Sequence, residues 1–505
     1  MSSAGNDVTP DEGYRDLTIS GGGSTMVATD TVFAEMATLR RVQGDAEDWE
    51  VRIGRVQSLG LGSSLQWRPS DLGACVLGAW VAIHGVAGES RQLADSLAEA
   101  AEQYGRLEAG LDTLLSGMGA WLGYTAGQLA MFAPLIAVSL AGPLAYAAVG
   151  SLTWNALQGR PGEVLPPGVA DWLRDNPRLL SDPATVRLVR VLVSSADEVA
   201  LGRVGVPYPV AAALGDDGAG VLGAASSAFG LLVAARAAGL LRETPVRVRL
   251  AGSSPAPVAA PAAGGVQSGP GGESTATLAA PKPPTGFADL ADRIPTEEDG
   301  AQVRIERYGD AEHPRWVVYI GGTVEWAPAA STEPWDMTSN VAAVADQEAG
   351  SYRAVLQALH AAGVQPGDPV VPVAHSQGGL IANQLVSRGD ITAVGMVTFG
   401  APETGLALPD GLPAIAIEHE EDIVPALGGT SEEDQRLYVR RELFAGRDVP
   451  LDETLPAHQL VGYRDTAGIV DASPEPRLAE FRAQLGEIVG KAPGEQSLWH
   501  AERVD

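Results

Sequence analysis

The chain has 505 residues, enough for two to four domains, and carries 63 acidic against 34 basic side chains, a net charge of −29. So negative a surface repels a phosphate backbone, which excludes nucleic acid as a partner. A single cysteine, Cys75, excludes an intrachain disulfide, and the seven histidines are scattered without metal-ligand spacing, so neither metal nor cofactor is expected.

Residues 1–30 are polar and acidic, with no charged-then-apolar signal peptide. Localisation therefore stays open between the cytoplasm, export by another route, and a membrane. Thr31–Val56 and Ser70–Leu115 carry apolar residues at helical spacing, for example Leu93, Leu97, Ala101, Tyr104 and Leu107. The Gly60–Ser64 break between them predicts an antiparallel helical hairpin over residues 1–117. Trp67 lies just after the break, and Tyr104-x-x-x-Glu108 lies late in the second helix. This arrangement resembles the small helical-hairpin proteins carried by type VII secretion systems of actinobacteria. Those have a Trp-x-Gly turn, where this chain reads Trp67-Arg68-Pro69, and a Tyr-x-x-x-Asp/Glu signal. The resemblance implies type VII secretion machinery as a partner; an ordinary helical hairpin fits the same residues.

Residues 118–250 form an Ala/Gly-rich apolar region, expected to be helical. Thr113–Gly159 is free of charge, and within it Leu129–Val149 is long enough to span a bilayer. Its large apolar side chains favour insertion by about 2–5 kcal/mol in sum. Pro134, Ser139, Gly142 and Pro143 oppose it, so membrane association and a buried helix pair both fit. Gly218–Ala235 is a second charge-free run whose Ala and Gly content favours burial in protein. Residues 251–285 are rich in Pro, Ala, Gly and Ser, with only Glu273 and Lys282 charged. Such a stretch is expected to be a disordered linker between two weakly coupled halves.

Residues 286–505 alternate strand and helix signals. Strands are expected at Gln302–Tyr308, Trp316–Ile320, Pro369–Ala374, Val394–Phe399 and Ala414–Glu418, and helices at Ala342–Ala362 and Gly379–Arg388. This alternation predicts a mostly parallel sheet with helices on both faces.

The strand Pro369–Ala374 runs into Ala374-His375-Ser376-Gln377-Gly378, and a helix-like run follows. Strand, small-x-Ser-x-Gly, helix is the setting of a nucleophile elbow. A serine hydroxyl needs a base, and the base an acid to orient it, in the chain order Ser, Asp or Glu, His. Asp422 follows the strand Ala414–Glu418; Glu418, Glu420 and Glu421 compete with it. Of the later histidines, His419 precedes the favoured acid and His500 lies in a polar C-terminal tail, which leaves His458 as the base. His375 is expected to pack. An oxyanion would take the Gln377 amide and a second N–H from Gly322 or Thr323, directly after the strand Trp316–Ile320. Trp326 and Trp335, in the non-helical Val324–Asn340, are candidates for a lid or acyl-chain wall; ordinary packing is the alternative.

Gly322-Thr323, Ala374-His375-Ser376-Gln377-Gly378-Gly379, Thr398-Phe399-Gly400-Ala401-Pro402 and Asp422-Ile423-Val424-Pro425 together resemble α/β-hydrolases of the lipase type. The Ser-Gln-Gly element also resembles cutinases, whose disulfides one cysteine cannot supply. The resemblance implies an α/β-hydrolase domain over residues 286–505, preceded by a mainly α-helical N-terminal region. It implies a serine esterase or lipase working through Ser376, Asp422 and His458 on an apolar ester, a lipid or a phospholipid. The rival expectation is a secreted or surface interaction protein whose hydrolase-like domain is inactive. Oligomeric state is not legible.

Overall fold

The computed structural model describes residues 17–21, 28–62, 76–98, 181–194, 241, 243–254, 276–326, 330–428, 435–445, 447, 449–450 and 455–504. Leu129–Val149, Gly218–Ala235, Trp67, Cys75, Tyr104 and Glu108 lie outside them. Among the described residues no helix is long and apolar enough to cross a membrane.

The described strands are β1 (Leu17–Gly21), β2 (Ala28–Thr29), β3 (Val246–Ser253), β4 (Ala276–Thr277), β5 (Val303–Gly309), β6 (Pro314–Ile320), β7 (Pro369–His375), β8 (Thr392–Ala393), β9 (Met396–Phe399), β10 (Ala414–His419), β11 (Leu437–Arg441) and β12 (Glu495–Arg503). They form one mixed sheet in the order β2-β1-β11-β10-β9-β7-β6-β5-β12-β3-β4, with β8 beside β7. Its centre, β6-β7-β9-β10-β11, is parallel. On the flanks β1, β5 and β12 run antiparallel to their neighbours.

The helices are α1 (Asp30–Gly62), α2 (76–98), α3 (Pro183–Ser194), α4 (Phe287–Asp292), α5 (Met337–Val344), α6 (Gly350–Ala362), α7 (Gln377–Ser387), α8 (Ile423–Ala426), α9 (Leu460–Ala472) and α10 (Pro476–Val489). A Glu50–His84 contact at 2.7 Å and the ion pairs Glu47–Arg91 at 2.8 Å and Arg40–Asp95 at 3.5 Å set α1 and α2 antiparallel.

Two apolar cores follow from strand alternation, since successive side chains point to opposite faces. Trp316, Val318, Ile320, Val370 and Ala374 pack with Ala354, Val355, Ala358, Ile381 and Leu385 of α6 and α7. Val317, Tyr319, Val371, Val373, Val397 and Ile417 pack with Leu290 of α4, Tyr463 and Val470 of α9, and Leu478, Phe481 and Leu485 of α10. Burial on both faces explains why the central strands read as unbroken apolar runs. The molecule is therefore an α/β fold with an N-terminal helical region.

All five expected strands are present, with ends shifted by two residues or fewer. The expected helix Ala342–Ala362 is two helices, α5 and α6, because Asp346 takes a left-handed conformation at φ 50; Asp tolerates that region better than most residues. The expected linker does not divide the fold. Its first residues, 251–253, end β3, and 276–277 form β4. From before it, β1 pairs with β11, β3 with β12, and α3 packs Val186 and Val189 on Ile423, Val424 and Ala426. The tail holding His500 is likewise strand β12, buried at Trp499, Ala501 and Arg503. Both strands were hidden by charge: Arg247 and Arg249 alternate along β3, and Arg503 is buried by pairing with Asp336 at 2.7 Å.

Candidate active site

The parallel strands aim their C-terminal ends at one edge of the sheet, where open α/β sheets place their sites. There the loop after β6 brings Gly321–Thr323, the turn after β7 brings Ser376, and the loop after β10 brings Asp422.

Ser376 sits at φ 54, ψ −122 between β7 and α7. A non-glycine residue there costs on the order of 1–3 kcal/mol and persists only if its surroundings fix it. They do: its N–H donates to Phe399 O at 3.0 Å, and strand and helix are buried on either side. Two glycines let the loop after β6 approach. A Cβ on Gly378 would lie 2.5 Å from Ile320 O, and one on Gly322 would lie 2.8 Å from His375 Nδ1 and 3.0 Å from Ser376 Cβ. Gln377 opens α7, so its N–H lacks an intrahelical acceptor and stands beside the serine.

His458 lies on the 3₁₀ turn Pro456–His458. Its Nε2 is 2.7 Å from Ser376 Oγ and its Nδ1 is 2.6 Å from Asp422 Oδ2. All three residues are buried. Asp422 caps α8 by accepting from Val424 N at 2.9 Å through Oδ1 and takes the Tyr463 hydroxyl on Oδ2 at 2.7 Å. Burial alone would push this carboxyl up. The His458 ring, the Tyr463 hydroxyl and the Val424 N–H together hold it below the ordinary carboxylate range. The Tyr463 phenol is pushed well above its usual value, by burial first and then by the Asp422 charge, so it remains a donor.

The competing groups have other partners. Glu418 is paired with Arg440 at 3.0 Å and Arg190 at 3.2 Å, and Glu420 with Arg187 at 2.7 Å. Glu421 accepts from the backbone of Leu443 and Phe444. His419 hydrogen-bonds Ala457 O and Thr466, and His500 faces Arg249 across the β12–β3 pairing.

The oxyanion-loop candidates are braced from behind. Trp335 donates its indole N–H to Gly321 O at 3.1 Å, and its carbonyl accepts from Val324 N and Glu325 N. Asn340 Nδ2 donates to Thr323 Oγ1 at 2.9 Å. Trp335 is fully buried in the core, as the packing alternative expects, and its indole N–H supports the loop. Trp326 is 52% exposed. The Gln377 side chain turns inward to Ser351 Oγ at 3.2 Å, so only its backbone faces the serine.

Sequence reasoning missed Tyr463, since nothing in its spacing marks a tyrosine on α9 as the partner of Asp422. It also missed the part of His375, whose Nε2 lies 3.0 Å from His458 O and whose ring stacks on His458 at 5.0 Å between centroids. Arg187 of α3 pairs with Glu420 in the loop that carries Asp422, and Arg190 with Glu403 and with Glu418 of β10; neither was singled out from the sequence. No protein-family model, no curated protein and no solved structure matches the chain.

Proposed function

We propose that this protein is a serine ester hydrolase of the lipase/esterase type, built on an α/β-hydrolase domain and acting through Ser376, His458 and Asp422. The observation that carries the reading is the unbroken chain Asp422 Oδ2–His458 Nδ1, His458 Nε2–Ser376 Oγ, at 2.6 and 2.7 Å, ending on a serine at a strained strand-to-helix turn.

In the reaction His458 Nε2 takes the Ser376 proton as Oγ attacks the ester carbonyl. The C–O bond to the alcohol then breaks, the alcohol leaves with the proton from His458, and an acyl-serine remains. Water, deprotonated by the same nitrogen, releases the acid. Asp422 holds the ring with Nδ1 protonated and offsets the positive charge that develops on it. The negative charge on the carbonyl oxygen falls to the Gln377 N–H and an N–H of the Gly322–Thr323 loop. The exposed Trp326, just past that loop, favours an ester with an apolar acyl group.

The test is labelling of the full chain by a fluorophosphonate, which reacts only with an activated serine, alongside a panel of p-nitrophenyl esters of rising acyl length. Stoichiometric label on Ser376 and turnover of the esters are expected. A wild-type protein that takes no label and turns over no ester is the inactive, interaction-only protein instead.

A further inference from the structure

The turn that carries His458 has little to hold it by itself. It is three residues long, a length at which a 3₁₀ segment gains little from its own hydrogen bonds. Leu455, which leads into it, is left-handed at φ 53. Within the turn the His458 N–H donates to Leu455 O at 2.9 Å. The ring's two bonds run to Ser376, whose proton moves during turnover, and to Asp422, which orients the ring; neither gives the backbone of the turn a fixed reference.

That reference comes from the sheet. His375 is the last residue of β7 and His419 the last of β10. His375 Nε2 lies 3.0 Å from His458 O, and His419 Nδ1 lies 2.7 Å from Ala457 O. A carbonyl only accepts, so each of these ring nitrogens carries the proton. The rings are themselves fixed. His375 is stacked on His458; His419 lies on Tyr463 at 3.9 Å between centroids, and its Nε2 lies 2.8 Å from Thr466 Oγ1, a hydroxyl that takes Arg441 Nη1 at 3.0 Å and whose one proton also faces Gly462 O at 3.0 Å.

We propose that His375 and His419 are positioning residues of the site: two neutral imidazoles at the ends of β7 and β10 that donate to the consecutive carbonyls of His458 and Ala457 and fix the turn while the His458 ring exchanges protons. Burial keeps both neutral, at about 3 for His375 and about 4 for His419. A neutral imidazole has one N–H, and here each N–H is committed to the turn. The inference rests on Ser376, His458 and Asp422 acting as the triad.

The experiment uses near-isosteric pairs in the full chain. Gln keeps a donor where His375 has Nε2–H, and Met removes it; Asn keeps one where His419 has Nδ1–H, and Leu removes it. Misplacing a catalytic group by about 1 Å costs on the order of 100-fold in rate. His375→Met and His419→Leu should therefore lower kcat about 10- to 100-fold with KM little changed, while His375→Gln and His419→Asn retain most of kcat. Equal loss in both members of a pair, or loss in neither, overturns the proposal. Because Met or Leu variants can fail to fold, ¹⁵N spectra of the wild-type histidines provide a second reading. His375 should show the Nε2–H tautomer and His419 the Nδ1–H tautomer at neutral pH, and the opposite tautomer or an imidazolium at either overturns it. Wild type that takes no fluorophosphonate overturns the triad reading and this proposal together; wild type that is labelled, with variants labelled equally fast, overturns this proposal alone.

Discussion

The proposed nucleophile and the proposed base are held in opposite ways. Ser376 is fixed by its own neighbours in sequence, a buried strand before it and a buried helix after it, with two glycines admitting the adjoining loop. His458 is fixed by groups from far along the chain: Asp422 and His419 around β10, His375 on β7, and, through Asp422, Tyr463 on α9. Local packing makes an elbow robust and legible as a short motif. Tertiary hydrogen bonds make the base adjustable, and leave its partners without any sequence signature.

The largest effect should ignore this difference. Ser376→Ala and His458→Ala should each lower kcat for ester hydrolysis by on the order of 10⁶, because a triad acts as a unit; unequal losses measured by steady-state kinetics would separate the two residues' roles. Next in size is the effect of removing the front of the chain. A fragment starting at Gly286 keeps every residue of the elbow and of the triad, yet loses β1, β3 and α3, leaving β11 and β12 each unpaired along one edge. It should aggregate or fail to fold, read by circular dichroism and gel filtration; a monomeric, fully active fragment would mean that neither side of the site depends on the front of the chain.

A smaller and more selective loss is expected from Tyr463→Phe, which removes one donor to the acid and leaves the elbow untouched. A hydrogen bond to a charged group contributes about 1.5–3 kcal/mol, so kcat should fall by roughly 10- to 100-fold with stoichiometric labelling of Ser376 retained. Unchanged kcat would show that the Val424 N–H and the His458 ring suffice to hold Asp422.

The last effect leaves turnover at neutral pH untouched: it is on acid stability, and it belongs to the base side alone. Burial holds His375 and His419 at about 3 and about 4 when folded, against about 6.5 for a free imidazole. The unfolded chain takes up these protons as pH falls through 6.5, and the folded chain resists until about 4 to 3. Their contribution to stability is therefore complete above 6.5 and is lost as pH falls from 6.5 to about 3. Near pH 5, unfolding of the wild type should bind about two more protons than unfolding of the His375→Gln/His419→Asn double variant. Equal uptake in a calorimetric pH series would show that the two rings are protonated in the fold.

What the sequence made legible divides along the same line. Of the central strands, β6, β7, β9 and β10 were readable because burial on both faces writes them as apolar runs, and Ser376, Asp422 and His458 because chain order and strand ends restrict the choices; β11 was not read. Of the flanking strands only β5 was read; β3 and β12 were not, because Arg247 and Arg249 of β3 and Glu502 and Arg503 of β12 break the apolar pattern, and the energy that makes them strands lies in pairing with each other. Trp335 was left open between a wall and packing for a related reason: an indole in a non-helical segment beside a site can face outward or brace a loop, and only the acceptor at Gly321 O decides. The contributions of His375, His419 and Tyr463 depend on which carbonyl or carboxylate oxygen lies within 3 Å, which no spacing rule encodes.

The place of β12 in the sheet also dictates an order of assembly. It lies between β5 and β3, although β3 precedes β5 in the chain and β12 is made after every other described strand. While the chain is being synthesised, β5 can pair with β6 but β3 has no neighbour to join it to the sheet, and Arg503, the partner of Asp336 behind the braced oxyanion loop, has not yet been made. Contacts of such long sequence separation form slowly and leave strand edges open to other chains meanwhile. On the proposed reading the loop after β6 is therefore braced last, after Ser376, Asp422 and His458 have all been synthesised, and the chain stays incomplete behind that loop until β12 closes the gap.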